Sequence, residues 1–253
     1  MLRLIPVLLI DHAGRAVKTH AFSERTYLGD PLNAIRIWSD YQVDELIVLD
    51  FEATRLGRAP NLKLFEALVQ QARMPLTVGG GVSSLADIER LMFMGVERVL
   101  VGSHAVEHHE FLREASARVG ASTLVLCLDF KIDEEGAPQL RTRSGTKAIE
   151  RPLSEVIHEL LGNEGAGEIV LHHIDGDGNH HGYEPHRVIY EQIRPLLKTQ
   201  LMLMGGWSWH KRFDLMSFPH CRGVATGAGF CFESDNREVL IHYAADARRL
   251  CAR

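Results

Sequence analysis

Eight short apolar runs, each followed by a loop and then a helical pattern, predict a (β/α)8 barrel, an α/β fold in which parallel strands are ringed by helices. The runs cover residues 4–9, 45–49, 76–78, 98–101, 123–128, 168–171, 200–204 and 223–225. A length of 253 residues is ordinary for such a barrel in one unit. The two halves of the chain also repeat each other. Asp50 after the second run matches Asp175 after the sixth, and Gly80 matches Gly206 half a chain-length on, so the barrel reads as two similar half-barrels. No linker or low-complexity stretch interrupts it, and residues 1–253 are expected to form one domain.

The helices between the runs carry their own signals. Asp30-Pro31 opens one through Ala34, Ile37 and Trp38, with proline in the first turn and apolar residues every three to four positions. The same period marks 61–72, 85–94, 110–119, 153–161 and 185–197, and more faintly 209–217 and 233–247.

Composition excludes several classes. The 28 basic and 33 acidic residues give a formal charge of −5, which argues against sequence-independent nucleic-acid binding. There is no run of about 18 apolar residues and no basic region leading a long apolar core at the N-terminus, so a soluble cytoplasmic protein without membrane contact is expected. Cys127, Cys221, Cys231 and Cys251 show no CxxC spacing and read as reduced thiols.

The third run ends in Gly79-Gly80-Gly81, with a helix start at Ser83-Ser84 just behind. Consecutive glycines let a backbone bring its amides close to an anion, and a helix N-terminus adds partial positive charge. Gly205-Gly206 repeats the pattern after the seventh run, while Gly102-Ser103 and Thr226-Gly227 follow the fourth and eighth. Barrels commonly bind phosphate on the loops after strands seven and eight. By the internal repeat, a second site belongs after strands three and four, so the mouth is expected to hold a substrate with a phosphate at each end.

Carboxylates crowd the carboxyl ends of the strands: Asp11, Asp50, Asp129, Asp175 and Asp177. Catalytic groups sit there in barrels, and two carboxylates across a cavity divide acid and base work when their environments differ. Asp129 is the first candidate, because it ends an apolar run that needs no acid for solubility. Lys18, after strand one, is a candidate for an anionic group. Of fourteen histidines, the adjacent His172 and His173 must point to opposite faces of their strand, one toward the mouth and the other beneath a helix. HxH and HExxH spacings do not occur, and neither a metal nor another cofactor is expected.

These residues in order resemble a known family. Arg3-Leu4-Ile5-Pro6, Val17-Lys18, Gly29-Asp30-Pro31, Leu49-Asp50, Pro75 to Gly81, Leu128-Asp129, Gly165-Ala166-Gly167-Glu168 and Ile174-Asp175-Gly176-Asp177-Gly178 are similar to the cyclase subunit (HisF) of imidazole glycerol phosphate synthase. The resemblance spans nearly the whole chain. It implies a lyase of histidine biosynthesis that takes a bis-phosphorylated substrate and ammonia, the latter from a HisH-like glutaminase at the amino-terminal face. Carried over by motif, Asp129 is the acid/base. Asp50 and Asp177 line the substrate site, Gly80, Gly81, Gly102 and Ser103 bind one phosphate, and Gly205, Gly206, Thr226 and Gly227 the other. Lys18 matches a strand-one lysine, and Arg3, Glu45, Arg98 and Glu168 match a charge ring that gates ammonia.

Three departures accompany the match. The family's strand-one aspartate falls on Leu9, and Asp11, two residues on, either replaces it or sits in the loop. His172 stands where the family has a small hydroxyl residue, and Trp207 where it has a small one. These features resemble a HisF-like branch associated with amidation of surface-polysaccharide sugars, such as those of lipopolysaccharide, which implies a sugar amidotransferase as a further partner. The readings left open are a cyclase, a non-cyclising ammonia conduit that switches its glutaminase, and a phosphoribosyl aminoimidazole isomerase, against which the charge ring argues.

Overall fold

The computed structural model describes residues 2–162, 165–179, 182–207, 217–233 and 239–241. The chain runs β1 (Arg3–Ile10), a hairpin of β2 (Ala16–His20) and β3 (Glu24–Gly29), α1 (Pro31–Asp40), β4 (Leu46–Asp50), α2 (Leu62–Gln71), β5 (Leu76–Gly79), α3 (Leu85–Phe93), β6 (Arg98–Val101), the short α4 (Ser103–Glu107), α5 (Glu110–Val119) and β7 (Leu124–Ile132). It continues through β8 (Pro138–Thr142), β9 (Lys147–Ala148), α6 (Leu153–Gly162), β10 (Glu168–His173), α7 (Glu184–Ile193), β11 (Gln200–Met204), β12 (Cys221–Thr226), β13 (Cys231–Glu233) and β14 (Val239–Ile241). Strands β1, β4, β5, β6, β7, β10, β11 and β12 pair in parallel in that order, and β12 returns to β1. The expected eight-stranded barrel is closed. No helix among the described residues is long and apolar enough to cross a membrane.

Barrel strands are buried on both faces, so they read as continuous apolar runs whose alternate residues serve two cores. In β1, Ile5, Val7 and Leu9 fill the barrel while Leu4, Leu8 and Ile10 pack under the helices. In β7, Val125 and Cys127 face inward, and Leu124, Leu126, Leu128 and Phe130 outward. The helices begin where the sequence marks them. Asp30 accepts the Leu32 amide at 2.7 Å ahead of Pro31, and Ser84 with Asp87 forms a reciprocal cap on α3.

Two hairpins extend the mouth beyond the expected plan: β2–β3 follows β1, and β8–β9 follows β7. One expectation is corrected. Within the stretch read as a helix over 233–247, Val239–Ile241 is a strand paired antiparallel with Cys231–Glu233. Val239-Leu240-Ile241 carries the bulky, β-branched character that suits a strand. The helix read over 209–217 lies outside the described residues except at its last position.

Candidate active site

A ring of four charges closes the amino-terminal end of the barrel. Arg3, Arg98 and Glu168 are the first residues of β1, β6 and β10, and Glu45 immediately precedes β4. Arg3 donates to Glu45 at 2.7 Å and Arg98 reaches the other Glu45 oxygen at 2.5 Å. The same two guanidiniums bridge Glu168. Each carboxylate therefore faces two cations. Thr77 adds a hydroxyl donor to Glu45 at 2.8 Å. Both glutamates are almost fully buried, where a carboxylate stays charged only with such compensation.

At the opposite end, the strands open on two adjoining cavities of about 580 and 420 Å³, measured out to their openings. Asp50, Gly80, Gly81, Gly102, Ser103 and Asp129 line the first. Leu9, Asp177, Gly205, Gly206, Thr226 and Gly227 line the second. Phe22, Leu49, His172 and Met204 border both.

Alternation along β7 brings Asp129 to the inner face, half-buried at the mouth. The register pairs it with His172 on β10, and its Oδ1 lies 2.8 Å from His172 Nδ1. Cys127 Sγ approaches the same oxygen at 3.5 Å. Burial, reinforced by the Asp129 charge, pushes that thiol well above its ordinary value, so it stays protonated and is a poor nucleophile. His173 points outward as expected, stacked on Phe130 and edge-on to His186 of α7.

Three other mouth carboxylates have different companions. Asp50 accepts two hydrogen bonds from Arg58, at 3.0 and 3.2 Å, yet burial still raises its pKa. Asp177 accepts from the Thr19 hydroxyl and the Phe22 amide, and burial outweighs these and the nearby His172 to raise its pKa as well. Glu52 is opposite. Burial works to raise its pKa, but the His12 amide and ring, Arg55 and Arg25 hold it at about 2.

Phe22 divides the mouth. It stacks on Phe51 with centroids 5.7 Å apart and meets the His172 ring edge-on at 5.1 Å. Ala21 and Phe22 both have left-handed backbones, φ 50° and 61°, a strained pair for residues with side chains. The tip is held there because Asp177 accepts the Ala21 amide on its carbonyl at 3.2 Å and the Phe22 amide on its carboxylate.

Several sequence-derived assignments change. Asp11 does not face the cavities. Its carboxylate accepts the Ala13 and Arg15 amides, each at 2.9 Å, and pairs with the Arg15 guanidinium, so it closes the turn between β1 and β2. The backbone and Arg15 bonds override burial and lower its pKa. Lys18 lies on β2 between Val17, which packs inside the barrel, and Thr19, which bonds Asp177; alternation turns it to the other face, and it lines neither cavity. The glycines are required partly by packing. A Cβ on Gly80 would lie 2.1 Å from the Asp50 carbonyl oxygen, and one on Gly206 would lie 2.4 Å from that of Gly182. The Gly206 amide already donates to Gly176 at 2.7 Å, so it shapes the second turn instead of facing the cavity with a free N–H. Trp207 is buried against Gly229 and lines the second cavity. Sequence reasoning missed Phe22 and Glu52, whose partners lie largely on other loops, and Arg58, which folds back on Asp50 from the same loop.

The sequence matches the model of the histidine biosynthesis protein family over residues 3–234. It is 36% identical over 243 residues to a Leptospira borgpetersenii protein provisionally named imidazole glycerol phosphate synthase subunit HisF, covering 95% of this chain and 94% of the relative. It is also 36% identical over 249 residues to a Vibrio vulnificus (strain YJ016) protein provisionally named subunit hisF3, covering 98% of this chain and 94% of the relative. The imidazole glycerol phosphate synthase subunit HisF of Corynebacterium glutamicum (strain R) is 34% identical over 247 residues, covering 95% and 92%. With the closed barrel and the doubly bridged charge ring already in place, the chain belongs to the histidine biosynthesis protein family, in its HisF group.

Proposed function

We propose that this protein is an ammonia-using synthase subunit that works with a HisH-like glutaminase and acts on a bis-phosphorylated small molecule at the barrel mouth. The observation that carries the reading is the ring of Arg3, Glu45, Arg98 and Glu168, which closes the floor of an otherwise apolar interior. An apolar interior admits neutral ammonia and rejects ammonium, whose desolvation is costly. Tyr41 and Phe93 are exposed at the ends of α1 and α3, beside the amino-terminal rim, and offer apolar surface for the glutaminase. At the mouth, Gly81, Gly102 and Ser103 hold one phosphate and Thr226 and Gly227 the other, with the first-turn amides of α4 free of helical partners for the first. Asp129 is the acid/base.

The test is turnover of the bis-phosphorylated substrate of imidazole glycerol phosphate synthase with ammonium salt. The folded protein is expected to consume it, and Asp129→Asn is expected to lose at least 100-fold. No consumption by the folded protein overturns the cyclase reading. A second reading is favoured by strand one, where Leu9 faces the cavity and Asp11 is committed to Arg15. In it, the protein passes ammonia to a sugar amidotransferase without cyclising anything, and phosphorylated ligands at the mouth stimulate the glutaminase of the assembled complex.

A further inference from the structure

A proton-transferring mouth needs a second group beside Asp129, and the structure restricts where it is. Leu9, Leu49, Met204 and Phe22 cannot exchange protons, yet they border the cavity around it. Asp11 is closed into its own turn, Asp50 is clamped by Arg58, and the Cys127 thiol is buried and held protonated. His172 remains. Its Nδ1 is 2.8 Å from Asp129 Oδ1, on the neighbouring strand at the same level of the barrel. Its other ring nitrogen has no hydrogen-bond partner among the described residues and is not among the buried unsatisfied atoms, so it opens into the mouth. The residue borders both cavities, so that nitrogen stands at the junction where the two ends of a bound molecule meet.

We propose that the acid/base work assigned to Asp129 passes through His172: the two form a proton-transfer dyad in which Asp129 positions and charge-balances the ring and the cavity-facing nitrogen of His172 carries the proton. The proposal rests on the ammonia-using reading. Ammonia adds to a carbonyl carbon of the bound phosphorylated substrate: a C–N bond forms and the C=O π pair moves to oxygen. One N–H proton passes to the free nitrogen of His172, and the resulting imidazolium is held by the Asp129 carboxylate. The imidazolium then returns the proton to the substrate oxygen, giving a neutral carbinolamine. Atoms and charge balance with no oxidant or further reactant. The titratable groups that face the ring or act on it electrostatically are Asp129 from β7, Asp177 from the loop after β10 and, from the outer side of the barrel wall, His186 of α7.

The experiment combines turnover with ¹⁵N-imidazole NMR of the full chain, His172→Gln serving to assign the ring. The neutral ring is expected to carry its proton on Nδ1, and Asp129→Asn is expected to abolish that preference. With the imidazole glycerol phosphate synthase substrate and ammonium, His172→Gln should lower kcat about 100-fold with KM unchanged. The double variant should lose no more than the worse single one, as residues acting as one unit do. Retention of kcat by His172→Gln overturns the dyad. Where the folded wild type does not turn the substrate over, the ammonia-using reading fails on its own account and the ring decides the dyad. A cavity-side nitrogen resonance that shifts on adding the substrate, together with the Asp129-dependent tautomer, supports it. Absence of either overturns it.

Discussion

The floor and the mouth of the barrel are built from the same kind of group, carboxylates wholly or partly buried, but they differ in how many cations face each one. At the floor, Glu45 and Glu168 are each bridged by Arg3 and Arg98. At the mouth, Asp50 has one arginine, Asp129 one histidine, and Asp177 a hydroxyl and an amide with His172 nearby. The doubly bridged floor carboxylates hold structure, whereas at Asp50 and Asp177 the partners do not offset burial, which raises both pKa values. Glu52 sharpens the contrast. It sits near the mouth but is wired like the floor, with Arg25, Arg55 and His12 around it, and it joins the β2–β3 hairpin to the loop after β4.

Breaking the floor should have the largest effect. Glu168→Ala leaves Arg3 and Arg98 each short of a partner, and removing one member of a buried pair costs about 3–5 kcal/mol. Urea unfolding should show that loss with an unchanged m-value; a loss below about 1 kcal/mol means the ring does not hold the floor. Next comes Glu52→Gln. The wild-type carboxyl is held at about 2 against an ordinary 4.5. A depressed folded pKa gives stability that is present above pH 4.5 and fades as pH falls toward 2, up to about 3 kcal/mol. The variant should be less stable at pH 7 and should lose less between pH 5 and 3 than wild type, by urea midpoints.

A smaller effect separates strain from stacking at the partition. Phe22→Gly relieves a left-handed backbone worth roughly 1 kcal/mol while giving up the Phe51 stack, worth about as much, so stability should change little. Phe22→Ala loses the stack and keeps the strain. It should be the less stable variant in thermal unfolding, and the reverse order would show that the hairpin tip relaxes once the ring is gone.

What was legible in the sequence divides along the same line of local against distant causes. Each barrel strand is a continuous apolar run whose alternation sets both cores, so Asp129 and His172 could be placed on inward faces from β7 and β10 alone. The β2–β3 hairpin was not, because its strands are polar and its position depends on Glu52 and Asp177 from other loops. Asp11 shows the limit of alternation. Period two gives the face of a residue in a strand, but β1 ends at Ile10, and a carboxylate one residue past the end is captured by the amides of its own turn. The glycines show another. Spacing marked Gly80 and Gly206 as phosphate cradles, whereas the contacts with Asp50 and Gly182 require glycine there whatever the mouth binds.

Asp177→Asn is the finest test of the contrast, because its sign should be opposite to that of Glu52. Burial raises the Asp177 pKa in the folded state above its ordinary 3.8. The stability linked to such a group is fully present below the unfolded value and is lost as pH rises through the folded one. The asparagine cannot ionise and retains a carbonyl oxygen to accept from Thr19 and Phe22. Its stability relative to wild type should therefore improve as pH climbs from 4 to 8, whereas that of Glu52→Gln worsens. Urea midpoints of both variants across that range read the two slopes directly. Parallel slopes would mean that Asp177 is compensated as fully as the floor, and the distinction between holding and reacting carboxylates would then not run between the two ends of this barrel.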